Sequence, residues 1–297
     1  MSTMNRHCAA ASKAEFATWI LNDDRILQEF CQELDLEETR LRQWVHRLKE
    51  THRPRVRGYN AALENSIQQL YAVFAGYAAT MDLNSCACCI DAEDRRRLTA
   101  KPLYLLEGED LAWYSHKAMT LWGDLAAFKY FLPRLLTLAS QPDSGVFFPT
   151  LLDKFGHAGC RHWPRRERLA LITYLREIWY EAMGRYPYAI AMNDLLRALV
   201  ALGQDPRPLL DQWLQTVTPA AAQHLADLVM DHHIPADPLD SLEEDPAVER
   251  TARIVHDWLC GSEQPRRYLT QAFFLYASSD FSETIFEAEE ILRRYYS

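Results

Sequence analysis

Cys86, Cys88 and Cys89 fall within four successive positions of the stretch NSCACCIDAEDRRRL, residues 84–98. Thiolates this close can hold a soft metal, and zinc takes four such ligands in a tetrahedron. No second cysteine pair completes the set, so a fourth ligand has to come from elsewhere. The stretch FGHAGCRHW offers His157, Cys160 and His162, the other place where histidine and cysteine gather. A zinc site built from the trio and one of these three, or His116, is therefore one expectation. Thiol reactivity is a second, because Asp91 reads as the N-cap of a helix from Ala92, and a helix N-terminus favours thiolate. Glu93 and Asp94 in the first turn oppose it, and the adjacent Cys88 and Cys89 form only a strained disulfide. Free cysteine also packs as a small hydrophobe. Core packing without any cofactor is the simplest expectation for the trio, and zinc is its rival.

Other chemistry is sparse. Asp231, His232 and His233 meet at a helix end, but neighbouring helical side chains point about 100° apart and rarely share an ion. The two histidines read as a cap favoured by the helix dipole. No nucleophile elbow, phosphate loop, dinucleotide fingerprint or paired-histidine zinc motif occurs. The run RHWPRRER, residues 161–168, could touch phosphate and offers Trp163 for stacking. Nucleic-acid binding usually wants a net basic surface, and the chain carries a net charge of −9.

That charge is unevenly placed. From Asp205 onward there are 17 acidic residues against 7 arginines, while the first 204 residues nearly balance at 24 against 25. An acidic third repels nucleic acid and suits a cationic partner. The densest acidic segment holds Glu243, Glu244, Asp245 and Glu249, the expected partner-binding residues. The opening residues lack the apolar core of a secretory signal, and no run reaches the roughly 20 apolar residues of a membrane span. Seven unevenly spread cysteines suit a reducing compartment. A cytoplasmic protein with no membrane partner is the expectation.

The elements that must position these residues are helices. Forty leucines outnumber 11 isoleucines and 9 valines together, and β-branched residues lose rotamers in a helix where leucine does not. Apolar spacing of three and four predicts helices over about 60–80, 92–100, 109–121, 124–139, 164–184, 188–203, 206–215, 218–232, 246–260, 264–278 and 281–295. Residues 141–161, marked by glycine and proline, read as a loop. Two further segments, 14–31 and 36–48, precede the basic stretch KETHRPRVRG. Residues 1–55 are thus expected to form a helical hairpin hinged to a 56–297 helical-array domain. Asp124 and Thr218 read as N-caps, and Pro133 lies inside a helix it should kink. The fold class is all-α, about a dozen antiparallel helices in a degenerate HEAT-like solenoid, with a closed multi-helix bundle as the other arrangement.

The C-x-C-C turn followed by the Lys-Ala-Met, Trp-Gly-Asp, Phe-Lys and Phe-Leu-Pro-Arg-Leu elements of residues 86–138 resembles a family of uncharacterised bacterial hypothetical proteins. The resemblance implies bacterial origin and a unit in which the cysteine turn and two helices belong together. It implies no catalytic residue. With no catalytic constellation in view, the chain reads as a non-enzymatic protein that binds another protein, such as an immunity protein neutralising a cationic toxin or effector. The alternative is a zinc-supported or thiol-dependent enzyme or redox protein centred on the cysteine turn.

Overall fold

Amphipathic, leucine-rich segments fold as helices that turn one apolar stripe inward. The computed structural model describes residues 61–77, 90–232 and 246–295, and among these it holds twelve α-helices and no strand. They are α1 (Ala61–Phe74), α2 (Ala92–Thr99), α3 (Gly108–Lys117), α4 (Leu125–Ala139), α5 (Phe148–His157) and α6 (Arg165–Ala182). Then follow α7 (Met192–Ala201), α8 (Arg207–Trp213), α9 (Pro219–Asp231), α10 (Pro246–Cys260), α11 (Gln264–Leu275) and α12 (Ser282–Tyr295). Among the described residues, no helix is long and apolar enough to cross a membrane. The hairpin expected in 1–55 lies outside the described residues.

Local chemistry starts the helices where the residues demand it. Asp91 and Asp94 form a reciprocal capping box on α2, with the Asp94 N–H donating to Asp91 at 2.8 Å. Asp124 accepts the Ala127 N–H at 2.9 Å and opens α4. Thr218 accepts the Ala221 N–H at 3.0 Å and donates its own hydroxyl to the Met183 carbonyl, which ties α9 to the end of α6. Helix α4 continues through Pro133, which is buried.

The loop expected over 141–161 is corrected by α5. Its breakers sit at helix ends: Pro149 lies in the first turn, Gly156 in the last, and Gly159 follows in the left-handed region at φ 59°. Between them Phe148, Leu151, Leu152 and Phe155 repeat at helical spacing and are all buried.

The α3–α4 unit packs as its pattern requires. Leu111, Tyr114, Ala118 and Trp122 are buried on one side, and Phe128, Phe131, Leu132, Leu135 and Leu138 on the other. Trp122 meets the Tyr114 ring edge-on at 5.4 Å. Leu125, the first residue of α4, is exposed. Successive helices pack at α3–α4, α6–α7 and α11–α12, but α1 also lies along α6, α7 against α10 and α9 against α12. A linear stack confines contacts to neighbouring repeats, so these long-range pairings do not establish the HEAT-like order.

A buried ion pair joins three of these helices. The Lys129 ammonium on α4 lies 2.7 Å from Glu167 of α6 and 3.1 Å from the Tyr77 hydroxyl, just past α1. The Tyr77 hydroxyl donates to the other Glu167 oxygen at 2.5 Å, and the ammonium sits 4.2 Å over the Trp163 ring. Lys129 and Glu167 are 5% and 6% exposed, so each charge depends on the other.

Candidate functional site: an acidic cleft

Two loops, one helix start and one helix face enclose a cleft of about 860 Å³. The first loop, residues 141–147, turns through Asp143 and Gly145, both in the left-handed region at φ 57° and 76°. The Ser144 hydroxyl steadies it by accepting the Val146 N–H at 3.2 Å. Its back rests on α3, where only a glycine fits: a Cβ on Gly108 would stand 1.5 Å from the Ser144 carbonyl oxygen. Gly108→Ala is therefore expected to push the loop away and cost about 1–3 kcal/mol, the usual range for overpacking. A lowered urea midpoint checks it, and an unchanged midpoint contradicts the contact.

The second loop, residues 184–191, is held by α9. His224, buried on α9, places Nε2 3.0 Å from the Arg185 carbonyl and meets the Tyr186 ring edge-on at 4.9 Å. A carbonyl only accepts, so Nε2 carries the proton. At the far end of α9, His232 Nε2 lies 3.1 Å from the Asn193 side-chain oxygen and fastens α9 to the start of α7. The cleft thus has Tyr186, Tyr188, Asn193 and Asp194 on one side, and Asp227 and Asp231 on another.

Its electrostatics are one-signed. Asp143, Asp194, Asp227 and Asp231 line it, and among the described residues no lysine or arginine does. Asp194 has Arg197 at 3.5 Å, one turn along α7. Burial nevertheless pushes its carboxyl above the ordinary aspartate value, with Arg197 opposing and Asp153 and Asp231 adding. Burial likewise raises the half-buried Asp227 carboxyl; the Tyr186 hydroxyl and His224 oppose this, and Asp231 reinforces it. Among the described residues neither Asp227 nor Asp231 has a lysine or arginine within ion-pair distance. Beneath the carboxylates the lining is apolar, with Val146, Phe148, Met192 and Leu228 buried and Phe147 exposed at the lip.

The two histidines are pushed the other way. Burial lowers the His224 pKa against the pull of the Arg185 carbonyl and Asp227, and lowers that of His232 against Asp231. The folded chain therefore binds fewer protons than the unfolded chain below about pH 6.5, the ordinary histidine value. Their contribution to stability is present above that pH and lost as pH falls through the lowered values. His224→Gln, which keeps a donor toward the Arg185 carbonyl, is expected to lose less stability than wild type between about pH 7.5 and about pH 5.5. Urea midpoints at the two values check this; equal losses contradict it.

The residues expected from sequence are dispersed. Cys160 points inward, 1% exposed, and donates its thiol to the Ala201 carbonyl at 3.5 Å. His157 and His162 are exposed. Among the described residues no three histidine, cysteine or carboxylate side chains are placed to hold a metal. Cys86, Cys88 and Cys89 lie outside the described residues, as do Glu243, Glu244 and Asp245. Glu249 is exposed on α10 and paired with Arg253 at 2.6 Å. Trp163, read as a stacking platform, is instead turned into the core, where its indole N–H donates to the Ala158 carbonyl at 2.9 Å. His232 is the expected cap residue of α9, although its lowered pKa leaves less positive charge for the dipole to favour.

Asp194, Asp227 and Tyr186 were not singled out from sequence as site residues. In the sequence Asn193 and Asp194 only interrupt the apolar run YAIAMNDLLRALVAL, which is the trace the cleft leaves there. No family model, curated protein or solved structure matches the chain.

Proposed function

We propose that the protein is a non-enzymatic binding protein that receives a cationic segment of another protein in this cleft. The single observation that carries the reading is a cleft lined, among the described residues, by four aspartates and by no lysine or arginine. Charge of one sign over an apolar floor favours a partner of opposite sign and speeds its encounter. The histidine of the lining is committed to a backbone carbonyl, which suits binding better than proton transfer. With the bacterial origin that the resemblance implies, the partner class is a basic toxin or effector. The protein then acts in the cytoplasm as an immunity protein that covers the partner's cationic surface.

The test is made on protein drawn from its own host. The tagged chain is expected to retain one stoichiometric basic partner at low salt and to release it near about 0.5 M salt, where exposed charges are screened. Asp227→Asn with Asp231→Asn is expected to lose it at low salt as well. Retention of the same partner by that variant removes the cleft from the function.

A further inference from the structure

Resting on the reading of the cleft as the seat of a cationic segment, we infer that the anchor of that segment is an arginine whose guanidinium is forked between Asp227 and Asp231. The cleft is a groove first, floored by Phe148, Met192 and Leu228 and walled by Tyr186, and its charge selects what fills it. Asp227 and Asp231 stand four residues apart on α9, so their side chains rise from one face about 5–6 Å apart at Cβ. A planar fork with donors on two edges spans such a pair, whereas an ammonium is a point charge that favours one carboxylate at a time.

Among the described residues Asp227 and Asp231 have no lysine or arginine partner, and the Tyr186 hydroxyl hydrogen-bonds Asp227. Asp194 is engaged by Arg197, and Asp143 lies on the opposite loop. Tyr186 faces Asp227 and carries an exposed ring beside it, a surface on which a planar guanidinium can lie flat and stack, whereas an ammonium makes only a point-charge contact. The apolar floor adds to the choice, because guanidinium is more weakly hydrated than ammonium and gives up less on entering. The occupant is thus an extended, arginine-bearing segment of the partner, its backbone along the lip at Phe147.

The test uses three blocked Gly/Ser peptides, identical except for two positions occupied by arginine, lysine or citrulline, titrated calorimetrically into the full chain at low salt. The arginine peptide is expected to bind at one site per chain, and the lysine peptide about tenfold more weakly or worse. The citrulline peptide, neutral and nearly isosteric, gives no measurable heat. Asp227→Asn and, separately, the exposed Asp231→Asn each weaken the arginine peptide by about tenfold, while Asp205→Asn, outside the cleft, changes it by less than about twofold. Equal binding of the arginine and lysine peptides overturns the forked anchor, as does binding of the citrulline peptide. If no peptide binds while the host partner is still lost on changing the cleft, the arginine anchor fails and the binding function stands. If the arginine peptide binds in the cleft but the host partner ignores the cleft variant, the binding function fails and the anchor stands.

Discussion

Lys129→Met is expected to destabilise the fold by about 3–5 kcal/mol, the range for breaking one side of a buried ion pair. The substitution leaves the Glu167 carboxylate 6% exposed, with the Tyr77 hydroxyl as its remaining donor in that network. It also removes the ammonium from the face of Trp163. Domains of this kind have about 5–15 kcal/mol in total, so the loss is a large share. Adding Glu167→Leu is expected to restore most of it, because an apolar pair of similar volume costs no desolvation. Urea denaturation of the single and double variants checks both statements. A single variant within about 1 kcal/mol of wild type contradicts the burial of an uncompensated charge.

The second large effect falls on association. Asp227→Lys is expected to weaken binding of the partner isolated from the host by about 100-fold or more, since it puts like charge into a half-buried position. Asp231→Lys, at an exposed position, is expected to weaken binding by about tenfold or more, through slower association and the lost contact together. Glu249→Lys is expected to change affinity by about twofold or less, because Glu249 is exposed and already paired with Arg253. This ranking separates the cleft from the acidic segment around Glu249. Surface plasmon resonance reads all three, and an effect of Glu249→Lys as large as that of Asp227→Lys reverses the assignment. The raised Asp227 carboxyl adds a pH signature: affinity is full well above its value and falls as pH drops through it, earlier than for an ordinary aspartate.

Much of the fold was legible because its signals are local. Asp91, Asp124 and Thr218 each announce a helix by side-chain chemistry within three residues, and each caps one. The apolar spacing over 109–121 and 124–139 likewise predicts two helices, and both form, with Trp122 buried in the turn between them. Helix α5 escaped because Pro149 and Gly156 look like breakers when their position relative to the helix ends is unknown. The cleft escaped for a deeper reason. Asp143, Asp194 and Asp227 belong to three separate segments, and only tertiary packing brings them to one cavity. The contact of Gly108 with the Ser144 carbonyl is equally invisible, since nothing within four residues of Gly108 requires it. The acidic third directed attention to residues 243–249 rather than to the α9 face, which carries Asp227 and Asp231.

Native mass spectrometry of wild type and of Asp227→Lys/Asp231→Lys, each drawn gently from the host, tests the binding role most directly. The wild-type chain is expected as a stoichiometric complex with one basic protein, and the double variant as the chain without it. A wild-type spectrum showing the chain with a zinc-sized increment and no protein partner contradicts this account and returns the function to the cysteine turn.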